Sequence, residues 1–276
     1  MTDVGPILIT GCSSGIGAAT ANRLASHGHL VYATARKPDT LSALADAGCR
    51  TLALDVTDDG SMVAAVEAIV AEHGRVGALV NNAGYGEYGA VEDVSMERVR
   101  RQFETNVVGV ARMSQLVLPS MRAAGAGRIV NIGSMGGRLT FPYGGYYHAT
   151  KHAVEALSDA LRYEVRPYGI KVILFEPGLT KTEFGSTVSG TLGHATAEDS
   201  AYAAGAKRMD AMIGGMYKSR LLAVGPDAVA RVIERALTRR RPHTRYVVPV
   251  MTRGLIGVRQ MLPGRSWDAM LRTVVK

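Results

Sequence analysis

Cysteine is scarce in this chain: Cys12 and Cys49 are the only two in 276 residues, too few for a disulfide framework. No set of His, Cys, Asp and Glu has metal-ligand spacing, so no metal is expected. Long apolar runs are missing as well, and no stretch could span a bilayer as a helix. The start, Met1-Thr2-Asp3-Val4-Gly5-Pro6, has an acid where a signal peptide has basic residues, and no long apolar region follows. The reducing cytoplasm is the expected compartment. Internal repeats, low-complexity segments and domain boundaries are absent too. What remains is 47% hydrophobic and 20% charged, ordinary for a globular chain of one large α/β domain, residues 1–276.

Charge is plentiful but uneven. The net charge is +8, yet residues 207–276 hold 15 Lys+Arg against 4 Asp+Glu, and the remainder 17 against 20. A basic end suits nucleic acid, an anionic membrane surface, an acidic protein or only solvated helix faces. No recognition helix, aromatic RNA-binding motif or metal finger supports nucleic acid, so none is expected as a partner.

The apolar run Ile7-Leu8-Ile9 reads as a buried strand. Thr10-Gly11-Cys12-Ser13-Ser14-Gly15-Ile16-Gly17 then turns into a helix reaching about His27. Glycines at 11, 15 and 17 let the backbone turn tightly and approach a ligand, and the helix start offers N–H groups to a pyrophosphate. A second strand, 30–34, ends in Ala35-Arg36 rather than in an acid that would bind the ribose hydroxyls of NAD. A neutral residue followed by a guanidinium suits a 2′-phosphate, hence NADP with NAD as the lesser choice; a solvated loop arginine is the alternative. A third strand is read over 51–56, a fourth over 78–80 leading into Asn81-Asn82-Ala83-Gly84, and a long helix over about 95–124 carries Asn106.

Ile129 to Ile132 reads as a strand that delivers Ser134. A helix beginning at Tyr147 carries Tyr147 and Lys151 one turn apart on one face. A phenol ionises near pH ~10, and a lysine within ~4–6 Å lowers that by roughly one to three units. The positive helix start acts in the same direction. Such a tyrosine exchanges a proton with a substrate oxygen near neutral pH. By itself the pair is usually a half-buried ring with a snorkelling ammonium. Further strands are expected over 170–175 and 246–249, with a helix over 226–237 between them.

Thr-Gly-x-x-x-Gly-x-Gly, Asn-Asn-Ala-Gly, a serine, Tyr-x-x-x-Lys and Pro177-Gly178 with Thr182, in that order, resemble the short-chain dehydrogenase/reductase family. The resemblance runs to about residue 250, with Thr180 a mild departure. It implies a doubly wound (Rossmann) α/β fold of about seven parallel strands with helices on both faces, and hydride transfer between a nicotinamide cofactor and a carbonyl/alcohol pair. Its catalytic set falls on Asn106, Ser134, Tyr147 and Lys151. Tyr147 passes the proton, Ser134 binds the same oxygen, Lys151 tunes Tyr147 and holds ribose, and Asn106 distorts its helix and holds a water. Cofactor contacts are expected at Gly11, Ser13, Ser14, Gly15, Ile16, Gly17, Arg36, Asn82, Ala83, Gly84, Tyr147, Lys151, Pro177, Gly178 and Thr182. Asp55 and Val56 are expected at the adenine, though Asp55 could instead cap the next helix. Asn81 to Gly84 is expected to act mainly as scaffold.

The Cys12-Ser13-Ser14 loop, Ala33-Thr34-x-Arg36 and the long tail resemble the hydroxysteroid- and retinol-dehydrogenase branch, which implies a small lipophilic substrate. A 3-oxoacyl thioester reductase and a cofactor-binding scaffold without turnover are the alternatives. Residues 183–222, soft and carrying Met209, Met212 and Met216, suit an apolar lid or a core helix. Residues 250–276 mix bulky apolar side chains with arginines, broken at Pro263-Gly264. They suit a lid, weak peripheral membrane contact or plain core. Dimers or tetramers are the family's habit.

Overall fold

Ile7, Leu8 and Ile9 are fully buried, so their strand needs cover on both faces, the condition of a parallel sheet between helix layers. The computed structural model, which describes residues 4–195, 199–219 and 222–275, supplies it. Its first half runs β1 (Ile7–Ile9), α1 (Gly15–Ser26), β2 (Val31–Ala35), α2 (Ser42–Asp46), β3 (Arg50–Ala53), α3 (Asp59–His73) and β4 (Ala78–Asn81). Then come α4 (Met96–Phe103), α5 (Gly109–Ala123), β5 (Gly127–Ile132), α6 (Gly145–Val165) and β6 (Ile170–Pro177). The last part holds α7 (Glu183–Ala195), α8 (Ala203–Lys218), α9 (Pro226–Thr238), β7 (Arg245–Val248), α10 (Val250–Met261) and α11 (Gly264–Val275).

All seven strands are parallel, in the order β3-β2-β1-β4-β5-β6-β7. Side chains alternate between two cores. Ile7, Ile9, Val130 and Phe175 meet Leu24 of α1 and Val229 and Ile233 of α9. Leu8, Ile129 and Val172 meet Met62 and Val66 of α3 and Met113 and Val117 of α5. The strand order reverses between β1 and β4, which opens a crevice at their carboxyl ends, the usual ligand position in such sheets.

Several boundaries differ from the sequence reading. The third strand stops at Ala53, so Asp55 and Val56 lie in the turn beyond it. Asp58, not Asp55, caps α3 by accepting from the Ser61 N–H at 3.0 Å, because its extended backbone aims the carboxylate at the helix start. The long helix over 95–124 is α4 and α5 joined through a π-helical segment, Glu104–Val108. The soft stretch 183–222 holds two helices, α7 and α8, and the tail 250–276 holds two more, parted at Pro263-Gly264 as the sequence implies. Residues 196–198, 220–221 and 276 of those stretches, and Met1 to Asp3, lie outside the described residues. Among the described residues no helix is long and apolar enough to cross a membrane.

Candidate active site

The Gly-rich turn is held from across the crevice. Thr10 Oγ1 accepts from the N–H groups of Asn82 and Ala83, each at 3.0 Å. Asn82 Nδ2 donates to the carbonyls of Thr10 and Gly11, each at 2.9 Å. Asn82 is thus a brace, as its scaffold reading has it. At Gly17 an added Cβ would overlap the Gly11 carbonyl and the Asn82 amide, so α1 approaches the turn as closely as only glycine allows. Gly11, at φ +71°, would set a Cβ 2.8 Å from the Ala83 Cα across the crevice. The first turn of α1 has no acidic residue, and Ser14 at its start makes no side-chain cap. A cradle that a Cβ would fill, below a helix start open to an anion, fits a dinucleotide pyrophosphate.

Around that cradle the other expected contacts fall unevenly. Ser13 is exposed, and Ile16 packs partly into the core. A Cβ at Gly15 would lie 3.4 Å from Thr182, so the loop after β6 closes against the Gly-rich turn. Thr182 Oγ1 accepts from the Phe184 N–H at 3.3 Å and so starts α7. Pro177 ends β6, and Gly178 donates its N–H to the Val248 carbonyl at 2.7 Å. Ala35 closes β2 and Arg36 stands exposed beyond it, followed by exposed Lys37, a second cation that the motif does not mark. Asp55 takes the Thr57 N–H and hydroxyl at 2.9 and 2.7 Å, ordering its turn, while Val56 is buried under that turn.

The catalytic candidates converge from four elements. Ser134 follows β5, its Oγ accepting from the Gly136 N–H at 3.0 Å and near enough to the Tyr147 hydroxyl to favour its ionised form. Tyr147 stands in the first turn of α6, as expected, with its ring buried against Tyr88 and Phe184, both 5.4 Å between centroids. Lys151 lies one turn on, its Nζ 5.9 Å from the Tyr147 ring centre and donating to the Ile132 carbonyl at 2.9 Å. Asn106 sits in the π-helical segment. Its Nδ2 donates to the Tyr85 carbonyl at 2.8 Å and Thr150 Oγ1 at 3.1 Å, and its Oδ1 accepts from the Tyr85 N–H at 3.1 Å. The expected helix distortion is present, but the side chain is spent on pinning the loop after Gly84 to α6. A Cβ at Gly84 would stand 3.0 Å from Asn106 Oδ1 and 3.8 Å from Lys151 Nζ, so the loop after β4 packs directly on both side chains.

Electrostatics correct one expectation. Burial pushes the Tyr147 phenol above its ordinary value; Ser134 only partly offsets this. Burial also brings the Lys151 ammonium down to about 8. Burial therefore acts against the lowering expected from the lysine, and Tyr147 holds its proton at neutral pH.

Beyond Tyr147 the walls are apolar. Tyr88, Tyr143, Phe184, Met212, Met216 and Tyr217 pack on a buried cluster of Val188, Leu192, Met209 and Ile213 from α7 and α8. His148 adds an edge-on ring 5.6 Å from Tyr147, and burial lowers its imidazole to about 4, so it is neutral. Tyr88 and Phe184 each follow a recognised motif within a few residues, a weak signal that reading for chemistry ignores. His148 directly follows Tyr147 and escapes notice for the same reason. The tail is buried at Thr252, Ile256 and Trp267, the last two with Leu139 against Met135 and Phe141, while Val250, Met251, Val258, Met261 and Met270 stay exposed.

Comparison with known proteins agrees with this geometry. The profile described as short chain dehydrogenase matches residues 6–192. The chain belongs to that family. It is 46% identical over 197 residues to a 3-ketodihydrosphingosine reductase of Bacteroides thetaiotaomicron, covering 71% of each chain. An NADPH-dependent 3-dehydrocapnine reductase of Ornithobacterium rhinotracheale is 33% identical over 271 residues, 95% of this chain and 94% of that one. Among solved structures, the closed form of serine dehydrogenase with NADP+ matches at TM-score 0.77 and 28% identity, covering 89% of this chain and 95% of that one. A short chain dehydrogenase/reductase from Burkholderia phymatum with NAD matches at TM-score 0.79 and 26% identity, covering 94% and 95%. The chain is an oxidoreductase that acts with NAD(P).

Proposed function

We propose that the chain is an NADPH-dependent reductase of a ketone borne on a long apolar skeleton. The observation that carries this reading is the ring-and-thioether wall around a protonated Tyr147. Such a wall binds by burying apolar area, at roughly 25 cal/mol per Å². When bound, the reduced nicotinamide supplies a hydride to the carbonyl carbon. Tyr147 donates its proton to the carbonyl oxygen as charge develops there, and Ser134 donates a hydrogen bond to the same oxygen. Lys151, one N–H given to Ile132, keeps its remaining N–H groups for ribose hydroxyls and the emptied phenolate, which would receive them. Since both Asn106 amide N–H groups are given to Tyr85 and Thr150, a water here would meet this side chain at Oδ1, which already accepts from the Tyr85 N–H. Gly11 to Gly17 hold the pyrophosphate, Arg36 with Lys37 the 2′-phosphate, and Pro177, Gly178 and Thr182 the nicotinamide.

Relatives named 3-ketodihydrosphingosine reductase and 3-dehydrocapnine reductase put 3-ketodihydrosphingosine first among candidate ketones, ahead of the steroids and retinoids that the family branch suggests. Helices α7 and α8 serve as the apolar cover. The tail braces the site: Thr252 of α10 packs so closely on Gly178 that a Cβ there would overlap its hydroxyl. The basic C-terminal region keeps a 3-oxoacyl thioester as second reading. The test is NADPH oxidation with 3-ketodihydrosphingosine, a 3-oxosteroid, retinal, a 3-oxoacyl thioester and a short ketone. The reading stands if the long-chain ketone has the highest kcat/KM; it falls if the short ketone or the thioester does.

A further inference from the structure

Two glutamates lie buried beneath the catalytic groups, Glu155 8% and Glu176 2% exposed. Arg245, the first residue of β7, reaches both: it pairs with Glu155, and its Nη1 lies 2.6 Å from Glu176 Oε1. Arg138 Nη1 stands 3.7 Å from the same two carboxylates. Asp159, one turn beyond Glu155 on α6, takes the other arm of Arg245 and also pairs with Arg162. Ion clusters in such places contribute little to stability over apolar packing of the same volume, so a role in geometry is the better account.

Each member touches an element that carries chemistry. Glu155 is one turn past Lys151, Arg138 is four residues past Ser134, and Glu176 directly precedes Pro177-Gly178. The Glu155 side chain runs under the turn that holds Ser134. A Cβ at Gly137 would stand 2.9 Å from Glu155 Cγ, and one at Gly133 3.6 Å from Glu155 Oε1. That Oε1 is buried without a hydrogen-bond partner among the described residues. The turn is therefore clamped from below at both ends: by packing at Gly133 and Gly137, and by charge at Arg138.

We propose that Glu155, gripped by Arg245 and Arg138 beneath residues 133–138, is a positioning residue that sets Ser134 Oγ against the Tyr147 hydroxyl. This rests on the roles given to Ser134 and Tyr147 above. The charged groups around Glu155 are Arg138 on the turn, Glu176 on β6, Arg245 on β7, and Lys151 and Asp159 on its own helix. Burial raises the Glu155 carboxyl to about 7, with Glu176 acting the same way and Arg245 opposing. As pH falls through that value Glu155 takes up a proton, its hold on both arginines weakens and the turn loosens. Turnover falls with it.

The experiment is a double-mutant cycle between Glu155→Gln and Ser134→Ala, with kcat measured from pH 5.5 to 8.5 on the best ketone of the panel above and melting temperature followed alongside. Loss of position by a fraction of an ångström costs about tenfold or more. Glu155→Gln should then lower kcat about tenfold in the native background, remove the acid limb near pH 7, and cost less than about twofold once Ser134 is alanine. Equal losses in both backgrounds, or a pH profile that keeps its acid limb, would overturn the proposal. Full activity in Ser134→Ala would instead overturn the catalytic assignment beneath it. If Glu155→Gln does not fold, Arg138→Gln, on the more exposed side of the cluster, takes its place in the same cycle with the same expected coupling.

Discussion

The two halves of the crevice are built by different means. On the cofactor side the contact surface is mostly main chain: Gly11, Gly15 and Gly17, the start of α1, and Thr10 and Asn82 bracing them by hydrogen bonds at 2.9 to 3.0 Å. On the substrate side it is side chains, with Tyr88, Tyr143, Phe184, Met212, Met216 and Tyr217 gathered from four separate segments. Main-chain recognition demands glycine at fixed spacings, because no other residue permits the approach. A ring wall demands only bulk, which many residues supply. The first half is therefore written as a motif, and the second is not.

Substitutions can break this contrast, beginning with the largest effect. Gly17→Ala drives a methyl into the Gly11 carbonyl and the Asn82 amide. Overpacking of about 1–3 kcal/mol should weaken NADPH binding by about tenfold to a hundredfold, read by fluorescence titration. Unchanged affinity would mean that the close approach is not needed. Ala35→Asp places a carboxylate at the end of β2 beside Arg36. Repulsion of a 2′-phosphate should reverse the preference for NADPH over NADH, by about tenfold or more in the ratio of Kd values. Equal affinities for the two in the native chain would sink the reading of Arg36. Phe184→Ala removes a ring of the substrate side that also packs on Tyr147. It should raise KM for the long-chain ketone by about tenfold, the low end of a buried ring's worth because Phe184 is only half-buried, and leave NADPH affinity alone. A fall in NADPH affinity instead would show that the halves are not separate.

The same contrast explains what could be read from the sequence. The sheet was legible because Ile7-Leu8-Ile9, Ala78 to Val80 and Ile129 to Ile132 are unbroken apolar runs, and each is followed by its motif. Tyr147, Lys151 and Ser134 were legible through spacing. The burial that raises the Tyr147 phenol was not, since rings packed on it come from residues 88 and 184, far away in the chain. Asn106 was legible as a helix oddity, but its true partners, Tyr85 and Thr150, follow from the π-helical segment. Asp55 and Asp58 stand close enough in sequence to exchange cap roles, and only the backbone direction at Asp58 decides. The buried charge cluster joins positions 138, 155, 176 and 245, and no local pattern connects them.

Tyr147→Phe offers the most direct test of the whole account. The substitution removes the transferable proton and almost no volume, and it leaves every main-chain contact of the cofactor side in place. Both quantities come from one protein: the Kd for NADPH by titration, and kcat for the long-chain ketone by NADPH oxidation. The expected result is an NADPH Kd within about twofold of the native value, with kcat lowered by at least about a hundredfold, as general acid catalysis requires. Native kcat in the Tyr147→Phe variant would contradict the assignment of the proton to Tyr147, and loss of NADPH binding would contradict the separation of the two halves.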